Sequence, residues 1–138
     1  MHSERITYRQ RLRGRLTAVG PGLAAVELAA ADDTPLGYPT FESQLVFRTE
    51  RSFREEGTIA FQDGEPALRL TTLGRGDLAE AGDGGVRHGT AVLEVSGVGR
   101  LSGARGRITS NFVVGADGEV TDEQVVVLFT DREGEVGP

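Results

Sequence analysis

Apolar and polar residues alternate along most of this chain, and this period of two predicts β-strands. The stretches that alternate in this way, or that are rich in β-branched residues, are 6–19, 23–30, 41–49, 52–61, 67–73, 86–95, 105–114 and 124–130. Turn-forming residues separate most of them, as at Pro21-Gly22, Asp63-Gly64 and Asp117-Gly118. Strands at such short intervals are typical of an antiparallel all-β sandwich or barrel.

The alanine-rich stretch 23–31 fits either a strand or a short helix. We favour a strand, because strands and helices do not alternate anywhere else in the chain. Eight strands are enough to close a small barrel, and closure removes the exposed edges that an open sheet must protect. The sequence therefore predicts an all-β protein, a small eight-stranded antiparallel β-barrel with an apolar lumen, formed by a single domain over residues 1–138.

The stretch 125–129 is apolar at every position, with the sequence Val-Val-Val-Leu-Phe. A strand that is apolar on both faces is usually covered on both faces. In a barrel one face points into the lumen, so the other face is expected to pack against a covering segment or a second subunit. We therefore expect a homo-oligomer, a dimer or a trimer.

Composition excludes several classes of chemistry. The 138 residues include no cysteine and no lysine, which excludes disulfides, thiolate metal sites, a cysteine nucleophile and Schiff-base chemistry. The formal net charge of −6 disfavours nucleic-acid binding. The clustered arginines recur mostly at every second position and predict a solvated outer face; they are Arg5, Arg9, Arg11, Arg13 and Arg15.

No apolar run approaches the ~18 residues of a membrane span, and no signal peptide is visible, so we expect a cytoplasmic protein without a membrane partner. The two histidines, His2 and His88, lack the spacing of a metal site. Residues 74–79 read G-x-G-x-x-A, but a turn follows where a dinucleotide site needs a helix, so we interpret them as a twisted or bulged strand. We expect neither a metal nor a cofactor.

Two positions are candidates for acid–base chemistry. Glu55 alternates with Phe53 and Ile59, and an apolar face would raise its pKa and suit it to proton transfer. The alternative is that Glu55 pairs with an arginine across the sheet. His88 alternates with Val86 and Val92, so we expect it on a largely apolar face, either as an acid–base group or as a strand residue hydrogen-bonded to a neighbour.

Tyr8 and Gln10 alternate with Ile6 and Leu12, on the strand face opposite the arginine row. We therefore expect the polar ends of these two side chains inside a pocket. Tyr8, Glu55 and His88 are our candidate catalytic residues. The candidate substrate-binding residues are Gln10, Phe53, Arg69, Thr72 and Arg75, of which the arginines suit a carboxylate or a 1,3-dicarbonyl group.

Residues 95–106, Val-Ser-Gly-Val-Gly-Arg-Leu-Ser-Gly-Ala-Arg-Gly, resemble the signature V-x-G-G-[ST]-G-x-F-x-G-A-x-G of allene oxide cyclase and dirigent-like barrels. The matching positions are Gly99, Gly103, Ala104 and Gly106. The stretches 58–61 and 70–76 are similar to paired strands of the same family, so that the resemblance covers about residues 53–114. The chain departs from the family at Ser96, Val98 and Leu101, and the first-strand glutamate of allene oxide cyclases has no counterpart.

The resemblance implies a barrel with an apolar lumen, open at one end, that binds a hydrophobic substrate. It favours a cofactor-independent cyclase or isomerase that binds a hydrophobic, oxygenated, polyketide-like molecule of natural product biosynthesis and directs its ring closure. The first alternative is a non-catalytic carrier of lipophilic small molecules, or a stereo-directing barrel. The second is a structural or protein-interaction domain with a filled core, which the volume of the lumen distinguishes from the other two.

Overall fold

The computed structural model describes residues 3–30, 32–62, 64–82 and 84–131. These residues form nine β-strands and one short 3₁₀ turn, Gly99–Leu101. The strands are β1 Ser3–Gly20, β2 Leu23–Ala30, β3 Thr40–Phe47, β4 Ser52–Ala60, β5 Pro66–Thr72, β6 Gly76–Glu80, β7 Arg87–Gly97, β8 Arg105–Val114 and β9 Glu119–Asp131.

All strand pairs are antiparallel, and they close into a barrel. The order around the barrel is β3-β2-β1-β9-β8-β7-β5-β4, and the pairing of β4 with β3 joins the two ends. The predicted eight-stranded antiparallel barrel is therefore confirmed. Because the side chains of a strand alternate between two faces, closure sends every second residue into the interior and the others to the outside.

The ninth strand, β6, occupies the same place between β4 and β7 as β5 does. Thr72 pairs with Leu93 and Asp77 pairs with Thr90, so that between these pairs four residues, 73–76, stand opposite two, 91–92. The extra residues form a bulge at which Gly74 has a φ of 76°. The predicted twisted or bulged strand at residues 74–79 is thus confirmed, although β6 was not counted among the eight predicted strands.

Two of the predicted strands, β2 and β8, have the predicted limits, and the alanine-rich stretch is a strand. The largest difference is at β9, which begins at Glu119 instead of residue 124. Residues 119–123 include three acidic side chains, which are unfavourable in isolated strands. Their backbone pairs with both β1 and β8, and this pairing outweighs the local preference.

Aromatic rings fill the end of the barrel where β3 turns into β4. The ring of Phe53 covers Gly76 so closely that a Cβ atom there would lie 2.2 Å from it, and Phe112 covers Gly89 in the same way at 2.1 Å. The two rings meet edge to face, with centroids 6.1 Å apart. Because the two glycines have no side chains, the rings of Phe53 and Phe112 occupy the space above them and fill this end of the interior.

The opposite end is covered by residues 32–39, which connect β2 to β3 and which we call the cap. Leu36 of the cap packs against the core, as does Leu101. Arg100 donates a hydrogen bond from Nη2 to the carbonyl oxygen of Leu36, at 3.1 Å, and its guanidinium lies 5.5 Å from the ring centre of Phe61. Side chains therefore occupy both ends of the barrel.

The arginine row of β1 lies on the outside, where all five of its side chains are exposed, as predicted. Arg11 forms an ion pair with Glu123 of β9. None of the described residues belongs to a helix long and apolar enough to cross a membrane.

We predict that Gly76→Ala and Gly89→Ala each destabilise the protein by about 1–3 kcal/mol, because the added methyl group displaces a packed aromatic ring. The matched control is Gly20→Ala, since the nearest atom to a Cβ at position 20 lies 4.0 Å away. Urea unfolding at neutral pH measures the three free energies. Equal midpoints for the three variants would show that the rings do not depend on the glycines.

Candidate functional site

A cluster of polar side chains lies inside the barrel among apolar residues. We call it the lumenal polar cluster; its members are Tyr8, Gln10, Ser43, Glu55, Thr72, Ser110, Asp122 and Gln124, and each is buried. Each member shares the inner face of its strand with apolar residues, so closure of the barrel encloses it. Buried polar groups are costly unless they are hydrogen-bonded, which makes their partners informative.

Glu55 lies on β4 with a hydroxyl on either side. Ser43 of β3 donates its hydroxyl hydrogen to Oε2 of Glu55, at 2.5 Å. The backbone N–H of Glu55 donates to Oγ1 of Thr72, at 2.9 Å. The ion pairs found among the described residues do not include Glu55, so the alternative that it pairs with an arginine across the sheet is wrong.

Asp122 lies on β9 and accepts two hydrogen bonds. Ser110 donates to its Oδ1 at 2.8 Å, and Nε2 of Gln124 donates to its Oδ2 at 3.0 Å. Oε1 of Gln124 in turn accepts from Nε2 of Gln10, at 2.7 Å. Asp122 is therefore the end of a chain of three side chains that begins on β1.

The two carboxyl groups stand on opposite walls of the barrel, because β4 and β9 are separated by three strands in either direction around it. Both line a cavity of about 10 Å³, whose other walls are Leu16, Val26, Leu28, Leu45, Phe112 and Val120. This volume is enough for about one water molecule. The site thus combines two acids, hydroxyl and amide partners, and an apolar surrounding.

Burial raises the pKa values of both acids. The pKa of Asp122 rises to about 6, because burial disfavours its charge more than the hydrogen bonds from Ser110 and Gln124 favour it. Burial likewise raises the pKa of Glu55 to about 7; the hydrogen bond from Ser43 opposes the shift, and the charge of Asp122 adds to it. The charge of Asp122 raises the pKa of Glu55, so the two acids titrate as a pair that holds about one proton near pH 6–7.

Tyr8 and Gln10 project from β1 into the same interior, and each has a polar atom without a protein partner. These atoms are the hydroxyl of Tyr8 and Oε1 of Gln10. Burial raises the pKa of Tyr8 to about 12, and the nearby hydroxyl of Thr34 partly opposes this shift. Thr34 makes its own hydrogen bonds within the cap, to the carbonyl of Gly37 and from the N–H of Leu36.

The structure places five of the eight candidate residues from the sequence in the interior: Tyr8, Gln10, Phe53, Glu55 and Thr72. The other three lie outside. His88 is exposed on the outer face of β7, paired with Ala79 and Val113. This face is not desolvated, because Val92, which we expected beside His88 on a largely apolar face, is itself 37% exposed. Arg69 and Arg75 are also exposed and do not reach the lumen.

Arg69 instead lines an open depression of about 1640 Å³ on the outer surface. The other charged residues of this outer groove are Glu56, Glu94, Arg105 and Arg107, and its apolar wall comes from β9. Among the described residues, no group of three or more histidine and acidic side chains is arranged to hold a metal ion.

Sequence reasoning missed four members of the lumenal polar cluster: Ser43, Ser110, Asp122 and Gln124. A signal was present, because Asp122 and Gln124 alternate with Val120, Val126 and Leu128. Because the predicted strand began at residue 124, Asp122 lay outside it, in the preceding turn. The expectation of a lumen open at one end is also corrected, because side chains close both ends and leave about 10 Å³ beside the acids.

We predict that the stability of the protein falls as the pH rises from about 4.5 to about 7. A carboxyl group whose pKa is raised by folding binds its proton more tightly in the folded state, so ionisation favours unfolding. A shift of the pKa of Glu55 from 4.5 to about 7 corresponds to about 3 kcal/mol. Glu55→Gln should match the wild type near pH 4 and be more stable above pH 7, as measured by urea unfolding.

Glu56→Gln is the matched control, since Glu56 is the adjacent residue on the exposed outer face. It should follow the wild-type pH profile within about 0.5 kcal/mol. Parallel profiles for Glu55→Gln and the wild type would show that Glu55 titrates normally in the folded protein.

Comparisons with protein-family models, with curated proteins and with solved structures give no match to this chain. The barrel is seen directly in the structure, whereas the resemblance to allene oxide cyclase and dirigent-like barrels stays a prediction. The case for a function therefore depends on the geometry of the lumenal polar cluster.

Proposed function

We propose that this protein is a cofactor-independent isomerase or cyclase that acts on a hydrophobic, oxygenated small molecule inside the barrel. The observation that carries the proposal is the pair of buried carboxyl groups, Glu55 and Asp122, whose pKa values of about 7 and 6 lie close to neutral pH. Groups with such pKa values are suited to both giving and taking protons, and perturbed acids inside an apolar site are typical of catalytic positions.

The pair assigns one role to each acid. Asp122, which has the lower pKa, is the carboxylate that takes a proton from the carbon next to a ketone. Glu55, still protonated, donates a hydrogen bond to the ketone oxygen and stabilises the charge that develops there. Asp122 then returns the same proton to a carbon further along the conjugated system, so that the product is an isomer and neither acid changes its protonation overall.

Ring closure uses the same groups. The enolate carbon formed by Asp122 attacks an electrophilic carbon of the same molecule. At the enolate carbon, the new carbon–carbon bond takes the place of the bond to the proton that was removed. The proton on Asp122 then passes to the atom that has become negative. An apolar interior assists this step by holding a flexible molecule in a folded conformation.

A substrate needs more room than the 10 Å³ cavity provides, so the interior has to open. Phe112 is the residue that separates the acids from the end of the barrel, because it lines the cavity and contacts Phe53. Rotation of this ring, or movement of the cap at the other end, creates the space.

The filled interior is also the observation that favours a second candidate, a structural or protein-interaction domain.

The cost of the buried acids weighs against that second candidate. A barrel that serves only as a scaffold gains nothing from two ionisable groups that destabilise it above pH 7. A carrier without catalysis, the remaining alternative, requires an open cavity but not the acids. The two alternatives therefore differ from the proposal in what they predict for a small reactive ketone.

We predict that the protein converts 3-cyclohexen-1-one to its conjugated isomer, 2-cyclohexen-1-one, and that Phe112→Ala reacts faster than the wild type because it enlarges the cavity beside the acids. Asp122→Asn in the Phe112→Ala background should lower the rate by about 10²-fold or more, since it removes the base. The rate should be highest between about pH 6 and pH 7, where the pair holds one proton. Absorbance of the conjugated ketone measures the reaction.

Glu123→Gln provides the matched control in the same background, because Glu123 is the next residue and lies exposed on the outer face. Circular dichroism of each variant reports whether the barrel is folded, and Phe112→Leu replaces Phe112→Ala if the smaller side chain prevents folding. Equal rates for Asp122→Asn and Glu123→Gln would contradict proton transfer by the pair and leave the carrier and the interaction domain.

We also propose that the outer face of β9 mediates self-association. Val125 and Phe129 are 36% and 49% exposed, and with Val127 they form an apolar stripe along the outer groove. On the β8 side of this stripe, Arg107 stands directly opposite Glu94 of β7, so charges of both signs lie beside the apolar residues. In a two-fold symmetric dimer the apolar stripes of the two copies pack against each other and these charges lie at the rim.

We predict that Val127→Arg converts the assembly to monomers at micromolar concentration, because it places a charge in the centre of the apolar stripe. Val46→Arg is the matched control, since Val46 is 52% exposed on β3, away from this stripe. Sedimentation equilibrium measures the mass of both variants. A wild-type monomer, or an unchanged mass for Val127→Arg, would rule out this interface.

A further inference from the structure

Two polar atoms on β1 are buried without a partner, and they belong to neighbouring members of the lumenal polar cluster. The hydroxyl of Tyr8 and Oε1 of Gln10 have no partner in hydrogen-bond geometry among the described residues, although the side chains are only 9% and 6% exposed. The hydroxyl of Thr34 lies near that of Tyr8 and opposes the rise of its pKa, but it is not in hydrogen-bond geometry with it. Because the two residues are separated by one position on a strand, they project from the same face. An unsatisfied buried polar group is costly, which makes two adjacent ones a signal of a missing partner.

The orientation of the Gln10 amide follows from the acid at the end of its hydrogen-bond chain. Ionised Asp122 can only accept, so Gln124 must direct its Nε2 to it. Oε1 of Gln124 then accepts from Nε2 of Gln10, which leaves Oε1 of Gln10 as an acceptor facing the interior. The neighbouring phenol of Tyr8 supplies a donor, since burial keeps it protonated.

One ligand group satisfies both atoms. A hydroxyl oxygen accepts a hydrogen bond from the phenol of Tyr8, and its own hydrogen is donated to Oε1 of Gln10. A ketone accepts from Tyr8 but leaves Gln10 unsatisfied, and a hydrocarbon satisfies neither. The pair therefore recognises an alcohol or an enol in preference to other oxygenated groups of similar size.

The cap lies over this end of the lumen. The hydroxyl of Thr34, in the cap, lies near that of Tyr8 and opposes the rise of its pKa, and Arg100 joins the cap to Phe61 from the exposed side. Asp32, Asp33, Pro35 and Tyr38 of the cap are exposed, whereas Gly37 and Pro39 are buried and Leu36 packs against the core. The free energy of opening the cap therefore includes the exposure of Leu36 and the loss of the Arg100 contacts.

We propose that Tyr8 and Gln10 form a subsite for the hydroxyl group of an alcohol or enol ligand, which enters when the cap opens. This subsite rests on the proposed function, because the ligand that it binds is the substrate. It extends that function by naming one chemical group of the substrate and by placing that group at the end of the lumen opposite Phe112. Bound there, the ligand is connected through Gln10 and Gln124 to Asp122, while the rest of the molecule extends toward the two acids.

The test compares two probes of nearly equal size, 4-fluorophenol and 4-fluorotoluene, by ¹⁹F NMR titration of the full chain. Wild-type protein should bind 4-fluorophenol about tenfold more tightly than 4-fluorotoluene. Tyr8→Phe should remove this difference by weakening 4-fluorophenol alone, and Gln10→Leu should act in the same direction. Arg100→Ala should increase the association rates of both probes, because it releases the cap.

Tyr38→Phe is the matched control, since it removes a phenol hydroxyl from the exposed side of the cap and should change neither affinity. Equal binding of the two probes, no binding by either the wild type or Arg100→Ala, or an unchanged 4-fluorophenol affinity in Tyr8→Phe would each overturn the subsite. Urea unfolding identifies one further outcome. If a permanently bound water satisfies Tyr8 and Gln10 in place of a ligand, Tyr8→Phe loses a hydrogen bond to that water and is less stable than the wild type. That result would also overturn the subsite.

The readout is binding, so it is independent of turnover. If 4-fluorophenol binds as expected while 3-cyclohexen-1-one is not converted, the subsite stands and the proposed catalysis fails. If the ketone is converted and Tyr8→Phe leaves phenol binding unchanged, the catalysis stands and the subsite fails.

Discussion

Closure of the sheet is the constraint on which the other properties of this protein depend. In an open sheet, a glutamate or aspartate on the inner face can reach water at an edge, whereas in a closed barrel the same position has no route to solvent. Glu55 and Asp122 are enclosed in this way on opposite walls. Their raised pKa values follow from this burial, and so does the ability of the pair to hold a single proton near neutral pH.

The same closure leaves a small interior that the side chains fill. Phe53 and Phe112 occupy space provided by Gly76 and Gly89, while the cap and Leu101 cover the other end. A small barrel packed in this way has room for a ligand only when a ring or the cap moves. The proposed function therefore depends on the free energy of that opening as much as on the chemistry of the acids.

Much of the fold is readable in the sequence, because alternation with period two is a local signal that survives without knowledge of strand pairing. The same alternation puts Tyr8, Gln10, Phe53, Glu55 and Thr72 in the interior. It fails for His88, since the outer face of β7 also carries Val92. Arg69 follows the alternation, since it lies between the buried Leu68 and Leu70 and points outward, and Arg75 lies in the bulge after β5. Asp122 was missed because the acidic start of β9 is held in the sheet by β1 and β8, a non-local effect.

The hydrogen-bond chain from Asp122 to Gln10 would link the ionisation of the acid to ligand binding at the proposed subsite. When Asp122 is ionised, both amides are fixed in one orientation and Gln10 presents an acceptor; when Asp122 is protonated, it can donate to Gln124, and both amides are free to turn over. A ligand hydroxyl on Gln10 therefore favours the ionised acid, and the ionised acid favours the hydroxyl. By this reciprocity, occupation of the proposed subsite at the capped end of the barrel would lower the pKa of Asp122, and under the proposed function this would make the carboxylate more abundant when a substrate is bound.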